Sequence, residues 1–250
     1  MRHDSNSVFE AHIRDLVLRA QKSCIPVYTD FLSYNEQLIA ERIVKEFSTS
    51  FKFFGGYPDA ENAILCIYCT CEPENNDFPI NCLRIVTNNK RASLTHRDYM
   101  GAIMSLGIER SVFGDIIIKQ SEAFCFVQQR ISDFFIDNLE SVGREKCNIS
   151  LVQRDFNIET VNRFSEFNAI ISSDRLDCFV AVICSLSRGS SVELIKKGLV
   201  SVNGLIITDQ SKRILENDRI VIRGYGKYII GPCDGKTRKD RLKIIIKKYN

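Results

Sequence analysis

The chain has 250 residues, 44% of them hydrophobic and 26% charged, with a formal net charge of +3 at pH 7. That length suits one domain or two to three small ones, and the composition is globular rather than disordered or fibrous. No run of about 18 apolar residues occurs, and Met1-Arg2-His3-Asp4-Ser5-Asn6-Ser7 lacks the apolar core of a signal peptide, so the expectation is a cytoplasmic protein without a membrane span.

Residues 8–23 place Ile13, Leu16, Val17 and Ala20 on one helical face, and Pro26 closes that helix. Ser33-Tyr34-Asn35-Glu36 has capping-box spacing and opens a second helix through Leu38, Ile39, Ile43 and Val44. Phe51-Lys52-Phe53-Phe54 reads as a strand, broken by Gly55-Gly56-Tyr57-Pro58. No helix carrying Lys-Ser/Thr follows those glycines, so a tight turn is expected there rather than a phosphate loop. A buried strand over 63–70 and a polar break at 72–77 complete an N-terminal α/β unit, residues 1–78. Ten cysteines raise the question of a metal. The dense group is Cys66-x-x-Cys69-x-Cys71 with Cys82, but Cys66 and Cys69 on one strand point to opposite faces, poor chelate geometry. Reduced cysteines packed as small hydrophobes are expected, with no metal and no cofactor.

Residues 79–155 show a regular order: strand from Cys82 to Thr87, helix from Asp98 to Leu106, strands from Gly114 to Lys119 and Ala123 to Gln128 around Gln120-Ser121-Glu122, helix from Arg130 to Leu139, strand from Cys147 to Val152. That β-α-β-β-α-β order predicts a ferredoxin-like domain. His96-Arg97-Asp98 has the letters of a kinase catalytic loop, but position 103 is Ile where a metal-binding Asn is required, and no Asp-Phe-Gly follows. Thr95 or His96 is expected to cap the helix, with Asp98 in its first turn. Arg97 and Arg110 remain candidates for secondary contacts to nucleic acid phosphate. Residues 156–171 read as a connector whose tail repeats Phe164, Phe167 and Ile170.

From Ser172 to Asn250 there are 16 Lys+Arg against 8 Asp+Glu, while the rest of the chain carries 18 against 23. Positive charge gathered at one end of a near-neutral chain marks a handle for a polyanion. Ser172 or Ser173 is expected to cap a helix with Asp174 and Asp177 in its first turn and Leu176, Phe179, Val180 and Ile183 as its buried stripe. Ser190 and Glu193 have capping-box spacing for a second helix that ends near Gly198. Val200 and Val202 alternate into the turn Asn203-Gly204, and Leu205 and Ile207 alternate out. Lys227–Ile230 and Arg241–Lys248 read as strands joined across Asp234-Gly235, the second expected as a lysine-protected edge or a nucleic acid contact.

Arg175-Leu176-Asp177, Ser187-Arg188, Ile195-x-x-Gly198-x-Val200-x-Val202-Asn203-Gly204 and Asp218-x-Ile220 resemble the S4 RNA-binding domain. With Gly55-Gly56-Tyr57-Pro58-x-Ala60-Glu61, the 94–116 stretch and Gly224-Tyr225-Gly226-Lys227, residues 8–247 resemble the YlmH family of bacterial proteins. The resemblance implies an α+β chain: the N-terminal unit, the middle domain, and an S4 domain over 172–250 built from an αL-type pair of helices plus a small β-sheet. It implies a non-enzymatic factor gripping structured RNA, ribosomal RNA or tRNA on the large ribosomal subunit, in translation or ribosome quality control. The partners implied are that RNA and the ribosome, with no membrane, a protein partner admitted through residues 1–160, and a monomeric state.

Arg175, Ser187, Arg188, Lys196 and Lys197 sit near helix starts and ends, where side chains and N–H groups meet phosphate. Asn203 and Gly204 offer a small turn to the RNA backbone or 2′-OH groups, and Arg223 and Lys227 extend the patch. Lys236, Arg238 and Lys239 form a secondary group, and Lys212 and Arg213 are read as solvating a loop. A pseudouridine synthase is disfavoured because the only Arg-Leu-Asp, 175–177, continues as Cys178-Phe179-Val180 within a helix. A methyltransferase is disfavoured because Gly224-Tyr225-Gly226 precedes no helix. An RNA-modifying enzyme and an RNA-tethered protein scaffold stay open as alternatives.

Overall fold

The computed structural model describes residues 2–58, 60–89, 94–119, 122–152 and 164–249, with the side chains of 2–6 and 164 set aside. Gln120-Ser121 and residues 153–163, which include the first part of the expected connector, lie outside the described residues. Two compact units result, Met1–Ile158 and Glu159–Asn250. No single helix among the described residues is long and apolar enough to cross a membrane.

In the first unit α1 (Arg2–Ser23) buries Ile13, Leu16, Val17 and Ala20, and the strand β1 (Val27–Leu32) follows. α2 (Tyr34–Glu46) starts at Ser33, whose amide and hydroxyl donate to the Glu36 carboxylate at 2.8 and 2.6 Å, the expected capping box. β2 (Ser50–Phe54) and β3 (Ala63–Tyr68) complete an antiparallel sheet in the order β1-β3-β2. β3 ends at Tyr68, so Cys69 and Cys71 sit exposed beyond it while Cys66 is buried. Burial pushes the Cys66 thiol up to about 11.

After the break come β4 (Ile80–Thr87), α3 (His96–Ser105), β5 (Phe113–Lys119), β6 (Glu122–Gln128), α4 (Ser132–Asn138), β7 (Ser141–Val142) and β8 (Glu145–Leu151). Their sheet runs β5-β6-β4-β8-β7, all antiparallel, the strand layout of a split βαβ unit with a short added strand. Thr95, not His96, caps α3: its amide and hydroxyl both donate to Asp98 at 2.7 Å. Those hydrogen bonds hold the Asp98 carboxyl below its ordinary range.

Alternation along each strand sorts the side chains into layers. Leu83, Ile85, Ile116, Cys125 and Val127 face α3 and α4 beside Tyr99, Ile103 and Phe135. Ile80, Ile117, Phe124 and Phe126 face the other way and pack with Phe31, Ile64 and Cys66 of the first sheet and with Tyr57 beside it. The first sheet in turn presents Leu32, Leu65 and Ile67 to α1 and α2. The unit is thus layered helix, sheet, sheet, helix, and the sheet face turned away from α3 and α4 is buried.

Gly55-Gly56-Tyr57-Pro58 is the fastening between the sheets. A Cβ on Gly56, at φ +98°, would lie 2.2 Å from the Phe126 ring, and Tyr57 stacks on that ring at 4.8 Å. The Asp115 carboxylate accepts from the Tyr57 hydroxyl, from the Glu61 amide at 2.7 Å, and from the Asn62 amide and Nδ2 at 3.2 and 2.7 Å. The glycines are therefore a packing device rather than a phosphate cradle.

In the second unit β9 (Phe164–Ile171) precedes α5 (Leu176–Ile183) and α6 (Arg188–Lys196). β10 (Val200–Val202), β11 (Leu205–Ile206), β12 (Arg219–Ile222), β13 (Gly226–Lys236) and β14 (Leu242–Tyr249) follow. One antiparallel sheet orders them β11-β10-β12-β13-β14-β9. Its inner face, from Val200, Val202, Ile220, Ile222, Tyr228, Ile230, Ile244 and Ile246, packs on Leu176, Phe179, Val180 and Ile195. The tail of the expected connector is strand β9, with Ala169 and Ile171 buried and Ile170 turned outward at 52% exposure. β14 is not an edge strand, because β9 pairs along its whole length.

Both helix starts differ from the expectation. α5 is capped at Arg175, after Ser172 and Ser173, because the 209–214 loop clamps its entry: Leu176 and Asp177 amides donate to the Lys212 and Gln210 carbonyls at 2.9 and 3.2 Å. Asp174 precedes the helix and pairs with Arg213 at 2.5 Å. α6 begins two residues before Ser190, with Ser187 as its cap accepting from the Ser190 amide at 3.2 Å, and Glu193 pairs with Lys197 at 3.7 Å instead of closing a capping box.

Candidate nucleic-acid interface

The corner between α5 and α6 turns on Asp177. Its position in the first turn of α5 buries it to 1% exposure, which is costly for a carboxylate unless its lone pairs are filled. They are filled by two arginines. Arg175 donates Nε at 3.0 Å and Nη2 at 3.3 Å, and Arg188, the first residue of α6, donates Nε at 2.8 Å. Burial pushes the Asp177 carboxyl up, but these hydrogen bonds outweigh it and hold the group below its ordinary 3.8. The backbone is tied as well: Ser191 Oγ donates to the Asp177 carbonyl at 3.0 Å, locking one helix to the other.

This arrangement aims charge outward. One carboxylate holds two guanidinium groups, so the cluster carries a net positive charge. The Arg188 side chain keeps 62% of its surface exposed while its Nε is pinned. Its outer N–H groups can therefore meet a phosphate fork without first losing side-chain freedom. Serine and arginine at 187–188 were legible as candidates; the buried acceptor joining them to Arg175 was not, since Asp177 reads equally well as a residue favoured by the helix dipole.

The remaining candidates divide by what holds them. The α5 start offers little to phosphate, because its first amides are engaged by the 209–214 carbonyls. Ser187 acts as the α6 cap. Lys196 and Lys197 lie exposed at the end of α6, just before Gly198 at φ +67°. Asn203 and Gly204 form the expected turn with φ of 52° and 81°. The Asn203 side chain is engaged internally, donating to Asp218 at 2.8 Å and accepting from the Arg219 amide at 2.8 Å, so the turn presents chiefly backbone.

Arg223 is exposed at the other end of β10, its amide on the Leu199 carbonyl at 2.9 Å, and Lys227 lies over the Tyr249 ring at 4.8 Å. Lys236 pairs with Asp240 at 2.8 Å, whereas Arg238 and Lys239 are exposed at the β13–β14 turn. In the first unit Arg97 is exposed, while Arg110 lies over the Phe113 ring at 4.5 Å and donates to the Phe113 carbonyl. No group of three or more His, Cys, Asp or Glu able to hold a metal occurs among the described residues.

Two family models match the chain. Residues 73–157 match the family described as "Putative RNA-binding domain in YlmH", and residues 174–220 match the S4 domain. The chain is 31% identical over 222 residues to "Ribosome-associated protein quality control protein P2" of Bacillus subtilis (strain 168), across 88% of this chain and 86% of that protein. It resembles in fold the solved "Cell division protein ylmH from Streptococcus pneumoniae", with a TM-score of 0.52, 24% identity, and coverage of 60% of this chain and 92% of that one.

Proposed function

The chain belongs to the YlmH family, and on that premise we propose that this RNA-binding protein acts on the ribosome as a non-catalytic factor. Its ligand is structured RNA of the large subunit, ribosomal RNA or tRNA, in a quality-control step of translation in the cytoplasm. The observation that carries the proposal is the Asp177-anchored pair Arg175 and Arg188, a buried acceptor holding cations toward solvent at a helix corner. Lys196, Lys197, the Asn203-Gly204 backbone, Arg223 and Lys227 extend the contact.

Charge supports the second unit as the grip. Residues 73–157 carry ten Lys+Arg against eleven Asp+Glu, and the outward face of their sheet is covered by the first sheet. That unit keeps surface for a protein partner, with Arg97 as a secondary RNA contact. The test is co-sedimentation with ribosomal subunits: Arg188→Glu with Lys196→Glu abolishes it, and unchanged sedimentation of a folded double variant would refute the proposal.

A further inference from the structure

The positive charge of the second unit lies mostly outside its S4-matched part. Residues 174–220 carry seven Lys+Arg against six Asp+Glu, whereas residues 221–250 carry nine against two. Ion pairing widens the contrast. In the matched part Arg175 and Arg188 share Asp177, Arg213 holds Asp174, and Lys197 holds Glu193. In the β13–β14 hairpin Lys236 holds Asp240 and Lys247 holds Glu166, but Arg238, Lys239, Arg241 and Lys243 make no ion pair among the described residues.

These four cations are displayed on an ordered support. The turn between the strands is closed by its own hydrogen bonds: Thr237 amide to Arg241 carbonyl at 2.8 Å, Asp240 amide to Thr237 carbonyl at 2.9 Å, and Arg241 amide to Thr237 Oγ1 at 3.1 Å. Arg238 and Lys239 occupy its tip. Along β14 Ile244 and Ile246 enter the core, so Lys243 points to the opposite face, and Arg241 lies one alternation earlier. All four are exposed. Like charges at neighbouring positions repel one another, and a built turn that keeps them together without carboxylate partners is complementary to a polyanion.

Resting on the RNA-binding function proposed above, we propose that the β13–β14 hairpin is a second RNA-backbone contact that supplies most of the salt-dependent affinity. The α5–α6 corner, set in the nearly charge-balanced residues 174–220, contributes orientation. The hairpin reads no sequence, since it offers exposed lysine and arginine rather than a groove-fitting element.

The experiment measures binding of the full chain to a fluorescein-labelled RNA hairpin by anisotropy, across KCl from about 50 to 300 mM. Arg238, Lys239, Arg241 and Lys243 are changed together to alanine, with a Lys/Arg-exchanged variant at the same four positions as control and circular dichroism to check folding. The four-alanine variant is expected to lower the slope of log affinity against log salt by about 3, and the exchanged variant to keep the wild-type slope. Arg188→Ala lowers the slope by about 1 at most. An unchanged slope in the four-alanine variant, with Arg188→Ala weakened, would overturn the second contact and leave the S4 corner standing. Wild-type protein that binds neither this RNA nor ribosomal subunits would overturn both.

Discussion

Replacing Asp177 by asparagine sets two physical effects against each other. The substitution raises the net charge of the unit by one, so long-range electrostatics alone predicts tighter RNA binding. It also replaces one of the two acceptor oxygens by an NH2 group and leaves a neutral acceptor, so the three hydrogen bonds cannot all be kept and Arg175 and Arg188 are held more loosely. Loosening two arginine side chains restores rotamer freedom that RNA must then remove, at about 0.5–1.5 kcal/mol each. The net expectation is binding weakened about tenfold, without the loss of salt slope that removing a cation causes.

Stability falls in parallel. Hydrogen bonds to a charged group contribute about 1.5–3 kcal/mol, but the partners are 34% and 62% exposed, so solvent screening reduces the loss to about 2 kcal/mol. The sign with pH follows from the lowered Asp177 carboxyl. Its contribution is present above the ordinary 3.8 and is lost as pH falls through the folded-state value, so asparagine flattens the acid limb of the stability curve. Urea unfolding between pH 3 and 7 and anisotropy with labelled RNA measure the two effects. Binding by folded Asp177→Asn as tight as wild type or tighter would refute the role of Asp177 in positioning the arginines.

Gly56→Ala combines φ +98° with a contact of 2.2 Å to Phe126 and should destabilise the first unit by about 2–4 kcal/mol in urea melts, leaving RNA affinity of the folded protein unchanged. Asp115→Ala removes the acceptor shared by the Tyr57 hydroxyl and the Glu61 and Asn62 donors and should cost about 3 kcal/mol by the same assay. Asn203→Ala removes the clamp on Asp218 and Arg219 and leaves alanine at φ 52°; about 1–2 kcal/mol of stability is lost while the salt slope of RNA binding is kept. Mass spectrometry of ribosomal RNA and tRNA from a deletion strain should show every modification retained; a missing one would assign catalysis to the chain.

What was legible in the sequence was local. Apolar spacing located α2, α3 and most strands, and Asn203-Gly204 declared its hairpin because only left-handed residues close such a turn. Ser33 and Thr95 declared their caps because the acceptor lies three residues away. What failed was nonlocal. The α5 start moved from Ser172–Ser173 to Arg175 because a loop some 35 residues downstream takes its first amides. β9 is not legible as a strand because its partner is β14, at the far end of the chain, and a lone apolar stretch does not announce the strand it will meet. Asp177 followed the same pattern: its spacing from Arg188 implies nothing until two helices fold back on each other.

Ultraviolet crosslinking of the full chain to RNA in cells, with mass spectrometry of the crosslinked peptides and sequencing of the attached RNA, asks where the grip lies and on what. The predicted result is adducts within residues 172–250, at the α5–α6 corner and the β13–β14 hairpin, carrying ribosomal RNA or tRNA. Adducts confined to residues 73–157, with none in the second unit, would contradict it.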